Sequence, residues 1–542
     1  MTHTAMPTRP SKTCILALDQ GTTSSRAILF DRRGVPLATA KEEFPQIFTQ
    51  ISSQITRTER SPAVVGGAEG AGAGDNVGDV SIVEHDPEDI WRSQLACARR
   101  VLESSGTTAE QVAAIGITNQ RETMILWDRG TGRPVAPAIV WQSRVSAAIC
   151  GRLRAQGIEE DVRRRTGLLL DPYFSATKIM HLLETMPGLR SRCEAGEILF
   201  GTVDTFLIWR LTGGRVHATD VTNASRTLLF DIHRLEWSEE LCSRFGVPRS
   251  MLPEVRPSSG GFGETDAAWL GAPIPIAGCA GDQQAAAFGQ GCVRAGDAKT
   301  TYGTGAFLLF ATGQEPVVSR HGLLTTPACT LPAGQPGAAA GYFLEGSVFV
   351  AGSLIDWLRD GLGMISHARE IEPLARSVGD SGGVMLVPAL TGLGAPYWDP
   401  FARGLLIGLS RASGRAHIAR AALESIAYSV AEVVVCMQRD AGVSLGRLRV
   451  DGGASGNDLL MQMQADILGI PVERPAVLET TSLGAALLAG LATGFFSDQA
   501  AVEEARRVER IFEPTMDEPA RTQLLARWRS GVDRCRGWAR QP

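Results

Sequence analysis

The sequence predicts an α/β protein built from two domains that share a duplicated fold. Three observations lead to this prediction: the length of 542 residues, an alternation of strand-like and helix-like segments, and two distant copies of one Gly-Thr turn. The length exceeds what one ordinary hydrophobic core accommodates, so two domains are the default expectation. The alternation of strands and helices favours α/β layers over an all-α or all-β fold.

Two similar hairpins are predicted to open the two halves of the chain. Residues 15–18 form an apolar run, the polar turn 19–26 follows, and a second apolar run covers 27–30. Residues 299–305 form a comparable Gly-Thr turn before the strand-forming run 306–310. Two apolar runs joined by a Gly-rich turn are the pattern of a β-hairpin. Two distant copies of this hairpin indicate a duplication, with one copy in each half.

Further strands and helices follow from the spacing of apolar residues. Residues 112–118 predict a buried strand and residues 88–103 an amphipathic helix. Residues 198–206 predict a strand that leads into a short amphipathic stretch. Residues 448–450 predict a strand that is followed by a helix over 458–468.

Composition suggests where the domains begin and end. Pro and Gly recur between residues 263 and 298, and this favours a boundary there. We expect a first domain over 13–290 and a second over 291–497, with peripheral C-terminal helices over 498–542. The first domain carries an insertion at about 50–82 that is rich in Ser, Thr, Gly and Ala. Such a composition buries little apolar surface, and it predicts a flexible surface loop.

Charge and cysteine content exclude several classes of protein. The formal net charge is -5, and acidic and basic residues are interspersed, which argues against a nucleic-acid-binding face. No stretch of about 18 apolar residues predicts a membrane-spanning helix, and residues 1–12 lack the apolar core of a signal peptide. The ten cysteines include no C-x-x-C pair, so we expect buried thiols in a reducing cytoplasm.

Several Gly-rich segments suit a bound nucleotide. The turns 21–24 and 303–305 offer backbone N–H groups and hydroxyls with little steric bulk, which favours a polyphosphate, although any tight hairpin uses Gly and Thr. Asp19 precedes the first turn and would repel phosphate unless a cation such as Mg²⁺ lay between them. The alternative is an Asp19 side chain that bonds to its own turn. Residues 450–457 would let a base or ribose approach the backbone, or are simply a strand–helix connection. No Gly-Lys-Ser/Thr of a P-loop occurs.

Two polar segments suit an alcohol acceptor. Arg121 and Glu122 follow the strand predicted to end near residue 118, and they offer donors and acceptors for vicinal hydroxyls. The alternative for this pair is a surface ion pair of little energy. Asp282 follows an apolar run and precedes an Ala-rich helix. It is either the N-cap of that helix or a carboxylate that projects into a cleft at a strand–helix junction.

Together these motifs resemble the FGGY family of carbohydrate kinases, and within it the members that phosphorylate glycerol. The resemblance covers about residues 13–497 in the order of the family. The segments that carry it are 19–26, 119–123, 171–178, 201–205, 222–227, 281–284, 302–305, 392–400 and, as the second family signature, 404–424. The resemblance implies two ribonuclease-H-like domains of the actin and hexokinase type, with ATP and acceptor bound in the cleft between them.

The resemblance also implies roles for individual residues. The hydroxyls of glycerol would contact Arg121, Glu122, Tyr173, Asp282 and Gln283. The carbon backbone of glycerol would be flanked by Trp141 and Phe307. Asp282 would act as the base, and Asp19 would hold Mg²⁺ through water. The nucleotide would contact Thr22, Thr23, Ser24, Arg26, Thr304, Gly352, Asp356, Gly453, Ala454 and Asn457. Asp356 stands where many members of the family have Gln.

The implied activity is transfer of the γ-phosphate of ATP to glycerol, which gives sn-glycerol 3-phosphate and ADP as the first step of glycerol catabolism. We expect a cytoplasmic homo-oligomer, either a dimer or a tetramer. One alternative is an FGGY kinase that acts on another polyol or sugar, which would need a different acceptor wall. A second alternative is a non-catalytic, actin-like nucleotide switch, which would not need Asp282 beside Arg121 and Glu122.

Overall fold

A computed structural model describes residues 11–52, 79–332, 341–498 and 503–540 of the chain. The strands, numbered in chain order, are β1 (Cys14–Gln20), β2 (Ser24–Phe30), β3 (Pro36–Glu43), β4 (Ile47–Ser52), β5 (Asp79–His85), β6 (Val112–Asn119), β7 (Met124–Asp128), β8 (Ala138–Ile139), β9 (Ile198–Thr202), β10 (Ala218–Asp220), β11 (Phe230–Asp231), β12 (Glu236–Trp237), β13 (Glu254–Arg256), β14 (Ile276–Gly281), β15 (Ala298–Tyr302), β16 (Ala306–Gly313), β17 (Leu324–Pro327), β18 (Tyr342–Val348), β19 (Met385–Val387), β20 (Leu405–Ile407), β21 (Leu448–Asp451), β22 (Val472–Pro475) and β23 (Val508–Phe512).

The α-helices are numbered in the same way. They are α1 (Pro87–Ser105), α2 (Ala147–Ala155), α3 (Glu159–Thr166), α4 (Ser175–Thr185), α5 (Leu189–Glu194), α6 (Val203–Leu211), α7 (Val221–Ala224), α8 (Glu239–Arg244), α9 (Ala267–Leu270), α10 (Asp282–Gly289), α11 (Gly352–Asp356), α12 (Ile371–Arg376), α13 (Arg415–Ala441), α14 (Asp458–Leu468), α15 (Thr480–Ala492) and α16 (Glu518–Cys535). The strand predicted over 112–118 and the helices predicted over 88–103 and 458–468 are confirmed as β6, α1 and α14.

Two sheets repeat one arrangement of strands. In the first half the order is β14-β6-β1-β2-β3, and in the second half the order β22-β21-β15-β16-β18 lies within a seven-stranded sheet. Each contains an antiparallel hairpin, β1–β2 or β15–β16, whose first strand pairs in parallel with β6 or β21. The corresponding neighbours, β14 and β22, are also parallel to them. The predicted duplicated α/β fold, opened in each half by a Gly-Thr hairpin, is therefore confirmed.

The first sheet is buried on both faces, because its central strands are apolar at successive positions. Leu16 and Leu18 of β1 belong to a core that includes Ile90 of α1. Ile15 and Ala17 point to the opposite face, where α15 supplies Leu483, Leu487 and other apolar residues. Strands covered on both sides have continuous apolar runs rather than alternating ones.

Helices α10 and α15 cross at very close range and connect the two halves. An added Cβ at Gly484 of α15 would lie 1.8 Å from the backbone oxygen of Ala285, and one at Gly289 of α10 would lie 2.3 Å from that of Thr480. Helix α15 packs on β1, β6 and β14 of the first sheet, although it lies late in the chain. Small residues at this crossing therefore determine how closely the halves approach.

We expect Gly484→Ala to destabilise the protein by about 1–3 kcal/mol, because the new methyl group overpacks the contact between α10 and α15. The midpoint of urea unfolding measures this effect. Gly151→Ala is the matched control, since Gly151 also lies in a helix but has no heavy atom within 4 Å of an added Cβ. That control should be neutral or stabilising because Ala favours helices over Gly. Equal midpoints for the two variants would contradict the close crossing.

Three predicted elements differ from the structure. The strand predicted over 198–206 ends at Thr202, where α6 begins, because residues 203–211 lie on a buried helix rather than an extended chain. The predicted loop at about 50–82 is wrong at its margins, where β4 and β5 pair antiparallel; residues 53–78 lie outside the described residues. The C-terminal segment adds the edge strand β23 to the second sheet as well as α16.

Helix α16 is less peripheral than predicted. Trp528, Val532 and Cys535 are buried against the second core, and the indole N–H of Trp528 donates to Glu432 of α13 at 2.8 Å. All ten cysteines are unpaired thiols and nine are buried, as expected. Among the helices that the structure describes, none combines the length and the apolar character needed to cross a membrane.

Candidate active site

The carboxyl ends of β6 and β14 bring the predicted acceptor residues together. These strands are parallel neighbours, and Gly281 at the end of β14 lies opposite Asn119 at the end of β6. Arg121 and Glu122 follow β6, and Asp282 follows β14. The carboxyl ends of parallel strands are where ligands bind in α/β sheets.

Arg121 is buried and makes most of its contacts outside its own segment. Its Nη1 and Nη2 donate to the two carboxylate oxygens of Glu345, on β18, at 2.7 and 2.8 Å. Nη1 also donates to Gln284 at 3.2 Å, and Nε lies 3.2 Å from Oδ1 of Asp282. The guanidinium therefore connects the acceptor residues of the first half with a strand of the second sheet.

Glu122 completes a buried charge cluster, which consists of Arg121, Glu122, Arg226 and Glu345. Nε of Arg226 donates to Glu122 at 2.7 Å, and its Nη2 donates to Glu345 at 3.0 Å. Arg121 and Glu122 are each only 2% exposed, and their closest charged atoms are 3.7 Å apart. The alternative of a surface ion pair is therefore wrong.

The two arginines of the cluster also determine the pKa of Glu345. Burial alone would raise the pKa of Glu345, but Arg121 and Arg226 outweigh the effect of burial and hold that pKa at about 2.

Asp282 is the first residue of α10, and Gly281 occupies the N-cap position. The alternative that Asp282 is the N-cap is therefore wrong. Oδ1 of Asp282 accepts from the backbone N–H of Gln283 at 2.7 Å, while 33% of the Asp282 side chain stays accessible to solvent. Burial raises the pKa of Asp282 to about 6, against the opposing effect of Arg121. A carboxylate with such a pKa is well suited to accept a proton near neutral pH.

Tyr173 and Trp141 lie together beside the acceptor residues. Their ring centroids are 5.5 Å apart, and the indole N–H of Trp141 donates to Oγ1 of Thr22 in the first Gly-Thr turn at 2.9 Å. Nζ of Lys178, buried on α4, donates to the backbone oxygens of Glu122 and Tyr173 at 2.8 and 2.7 Å. Burial lowers the pKa of Lys178 to about 7. Lys178 thus joins the aromatic and charged parts of the acceptor region.

Gln283 and Phe307 lie toward the second hairpin. The side-chain oxygen of Gln283 accepts from Nζ of Lys299 on β15, which also donates to Thr301 at 2.8 Å. Phe307 of β16 pairs with Thr301 across the hairpin and is half-buried.

The first Gly-Thr turn joins β1 to β2. It is closed by a hydrogen bond from the backbone N–H of Gly21 to the backbone oxygen of Ser24 at 3.0 Å. Thr22 and Ser24 are partly exposed, and Thr23 is exposed.

Asp19, at the end of β1, accepts from the hydroxyl of Ser482 on α15 at 2.9 Å. The alternative that Asp19 bonds to its own turn is therefore wrong. Burial raises the pKa of Asp19, and Arg26 and Ser482 oppose this shift. Arg26 itself pairs with Glu479 at the start of α15.

The second turn, 303–305, lies against the start of α11. Gly352 donates its N–H to the oxygen of Gly303 at 2.9 Å, and a Cβ at Gly352 would lie 2.5 Å from that oxygen. Only glycine therefore fits there. Thr304 is exposed, and Asp356 at the end of α11 pairs with Arg359 at 3.0 Å.

The predicted adenosine segment joins β21 to α14 as a single 3₁₀ turn. Gly453 and Gly456 have no heavy atom within 4 Å of an added Cβ, so the turn is open on that side. Asn457 is the N-cap of α14 and accepts from the N–H of Leu460 at 2.9 Å. Ala454 lies in the same turn.

Four residues of the site received no role from the sequence. Lys178 and Arg226 lie inside the segments 171–178 and 222–227 that carry the family resemblance, so those motifs were the available signal. Glu345 and Lys299 lie in strands of the second sheet, and no local pattern there indicated a buried charge. Their contacts span the two halves of the chain.

Comparisons with known proteins agree with this geometry. Residues 72–289 match the N-terminal domain model, and residues 298–493 the C-terminal domain model, of the FGGY family of carbohydrate kinases. A glycerol kinase of Dechloromonas aromatica is 54% identical over 525 residues, covering 97% of this chain and 98% of the relative. One of Symbiobacterium thermophilum is 52% identical over 529 residues, covering 98% and 99%.

Among solved structures, Plasmodium falciparum glycerol kinase with ADP is 34% identical and superposes with a TM-score of 0.84, covering 97% of this chain and 98% of that one. Gluconate kinase from Lactobacillus acidophilus shares the fold, with a TM-score of 0.78, 19% identity, and coverage of 95% and 96%. The two family models together span most of the chain, and its relatives match it over nearly their whole length. The chain therefore belongs to the FGGY family of carbohydrate kinases.

Proposed function

We propose that this chain transfers the γ-phosphate of ATP to a primary hydroxyl of glycerol, which gives sn-glycerol 3-phosphate and ADP. The observation that carries the proposal is the carboxylate of Asp282, with a pKa near 6, held 3.2 Å from Arg121 at the edge where β6 and β14 end. Relatives that match 97% of the chain at 50–54% identity are named glycerol kinases, which supports the same substrate.

In the proposed reaction, Asp282 accepts the proton of the attacking hydroxyl while the new O–P bond forms. The bond between the γ-phosphorus and the oxygen of ADP breaks at the same time, and its electron pair leaves with ADP. An alcohol is a weak nucleophile, so a carboxylate near it contributes about 10²–10⁴-fold. The rest of the acceleration comes from alignment of the reactants and from charge stabilisation.

The side chains around Asp282 would bind and orient glycerol. Hydroxyl contacts are assigned to Arg121, Glu122, Tyr173, Asp282 and Gln283. Trp141 and Phe307 would flank the carbon chain. Aromatic side chains suit this side of a small triol, because the hydroxyls and the C–H edges of glycerol lie on different sides of the molecule. Since Trp141 also donates to Thr22, the acceptor wall is continuous with the first phosphate turn.

The nucleotide is assigned to the two Gly-Thr turns and to the adenosine segment. Its phosphates would contact Thr22, Thr23, Ser24 and Arg26 on one side and Thr304 and Gly352 on the other. The base and ribose would lie near Asp356, Gly453, Ala454 and Asn457. Binding of phosphate at the first turn would compete with Glu479 for Arg26, because these two side chains pair in the structure.

Asp19 is the residue we assign to Mg²⁺. Magnesium binds through one or two carboxylates together with substrate phosphates and water, and Asp19 is a partly exposed carboxylate beside a phosphate turn, so the residues fit the ion. When bound, the ion would neutralise charge on the phosphates. We further propose that the enzyme is a cytoplasmic homo-oligomer, a dimer or a tetramer.

A coupled assay for ADP release tests the proposed function. Glycerol, xylulose, gluconate and erythritol are compared as acceptors at saturating ATP and Mg²⁺, with a reaction lacking acceptor as the control. We expect the highest kcat/KM with glycerol and very slow ADP release without acceptor. Preference for xylulose or gluconate would contradict the substrate. ADP release that is independent of any acceptor would favour a nucleotide switch instead.

The pH dependence of the reaction should report the ionisation of Asp282. Burial disfavours its charged form, and only the ionised form accepts a proton, so kcat/KM for glycerol is expected to rise with pH through about 6 and then level off. Initial rates in constant-ionic-strength buffers measure this profile. An acidic limb near the ordinary Asp value of about 4 would contradict the assignment.

A further inference from the structure

Behind the acceptor residues lies a second group of buried polar side chains, centred on Asp220 at the end of β10. Asp204, Asp220 and Cys279 offer ligand atoms within 4.8 Å of one another, which is close enough for a metal ion. Hydrogen bonds already occupy these carboxylates, however. Both oxygens of Asp220 accept from several donors, among them the hydroxyl of Ser258 at 2.7 Å, and Asp204 accepts from Thr219 at 2.7 Å. The group is therefore organised by hydrogen bonds rather than as a cation site.

One chain of hydrogen bonds leads from Asp220 to the strand end that carries Asp282. The hydroxyl of Thr222 donates to Asp220 at 2.8 Å. The same hydroxyl oxygen accepts from the backbone N–H of Gly281 at 2.8 Å. Gly281 directly precedes Asp282. The position of this N–H therefore affects the direction in which α10 and its first carboxylate point.

A second chain leads from Asp220 to the strand end that carries Arg121. The side-chain amide of Asn223 donates to Asp220 at 2.9 Å, and its oxygen accepts from the amide of Asn119 at 3.0 Å. Asn119 is the last residue of β6, two residues before Arg121. Both chains of hydrogen bonds start from the same buried carboxylate, which accepts from Thr222 and from Asn223.

The two strand ends also meet directly. An added Cβ at Gly281 would lie 2.5 Å from Cγ of Arg121 and 2.6 Å from its Cδ. The side chain of Arg121 thus packs on the backbone of Gly281 with no spare room. A small shift of Gly281 would move both the carboxylate of Asp282 and the stem of Arg121.

We propose that Asp220 is a positioning residue for phosphoryl transfer. It acts through Thr222 on the place of Asp282, and through Asn223 on the place of Arg121. This inference rests on the proposed function, because it concerns the alignment of the same base and acceptor side chains. Alignment of the reactants, together with charge stabilisation, supplies most of the acceleration of phosphoryl transfer, and a misplacement of about 1 Å can cost about 100-fold in rate.

Thr222→Val tests the first chain, because valine keeps the shape of threonine but cannot accept from Gly281 or donate to Asp220. In the full-length enzyme we expect kcat with glycerol to fall roughly 10–100-fold, with the KM for ATP and the affinity for ADP unchanged. Thr222→Ser keeps the hydroxyl and should restore most of kcat. A purely structural role would lower stability without separating kcat from ATP binding in this way.

Thr265→Val is the matched control. The buried hydroxyl of Thr265 accepts from the N–H of Ile274 at 2.9 Å, just before the opposite end of β14. Its loss removes the same kind of bond, from a backbone N–H to a threonine hydroxyl, just before the start of β14 rather than at the end that carries Asp282. We expect a similar loss of thermal stability but an unchanged kcat. An equal fall of kcat in both variants, or a wild-type kcat in Thr222→Val, would overturn the proposal.

Asn223→Ala tests the second chain independently, and it serves if Thr222→Val does not fold. Because it removes the bond between Asn119 and Asn223 at the end of β6, just before Arg121, it should raise the KM for glycerol more than it lowers kcat. An unchanged KM for glycerol would overturn this arm. If the wild-type enzyme prefers another alcohol, the proposed function fails, and the same comparisons with that alcohol still decide whether the two chains of hydrogen bonds from Asp220 position the site.

Discussion

Asp282→Asn is expected to lower kcat with glycerol by about 10²–10⁴-fold, since the amide cannot accept the proton of the attacking hydroxyl. Asparagine has the same shape and still accepts from the N–H of Gln283, so α10 should begin as before. The residual activity of this variant should no longer show the acidic limb of the pH profile. Steady-state rates and ADP binding measured by calorimetry separate a loss of chemistry from a loss of the fold.

Asp266→Asn is the matched control for this variant. Asp266 is also a partly exposed aspartate at the start of a helix, where its side chain accepts from the N–H of Ala268 at 3.0 Å. It lies away from the ends of β6 and β14, so kcat should not change. Near wild-type turnover of Asp282→Asn, with the same acidic limb, would rule out Asp282 as the base.

The positions of the strand ends could be predicted because their signals are local. Residues 112–123 show an apolar run followed at once by polar groups, and residues 274–284 show the same change. In an α/β fold, such a change marks the carboxyl end of a strand, where functional side chains lie. The signals of the two Gly-Thr hairpins are equally local, and the repetition of this hairpin is enough to indicate the duplicated fold.

The partners of the acceptor residues could not be predicted in the same way. Arg121 and Glu345 are 224 positions apart, and their contact depends on how the two sheets are placed. Nothing in the apolar strand that contains Glu345 distinguishes a buried partner from an edge residue. The strand predicted over 198–206 failed for a related reason. Beyond Gly201 and Thr202 at the end of β9, apolar residues resume in the buried helix α6, and so short a segment has no period that separates a strand from a helix.

The buried charge cluster gives the second large expected effect. Glu345→Ala should destabilise the protein by about 3–5 kcal/mol, because removal of one partner leaves Arg121 and Arg226 buried without their shared carboxylate. It should also raise the KM for glycerol, since Arg121 loses the two bonds that orient it. Urea unfolding and glycerol-dependent rates at saturating ATP measure the two effects.

Glu473→Ala separates these effects, because Glu473 is also a buried carboxylate of the second sheet and pairs with Arg447 and Arg506. We expect it to lose less stability than Glu345→Ala, because Arg447 and Arg506 reach solvent, while the folded fraction keeps its KM for glycerol. The pH dependence adds a further distinction. The pKa of Glu345 is held at about 2, below its unfolded value, so its stabilising effect is complete above about pH 4.3 and is lost as the pH falls toward 2. Glu345→Ala should therefore remove this part of the dependence of stability on acidic pH. An unchanged KM for glycerol in Glu345→Ala would contradict the other expectation, because it would show that Arg121 is oriented without the second sheet.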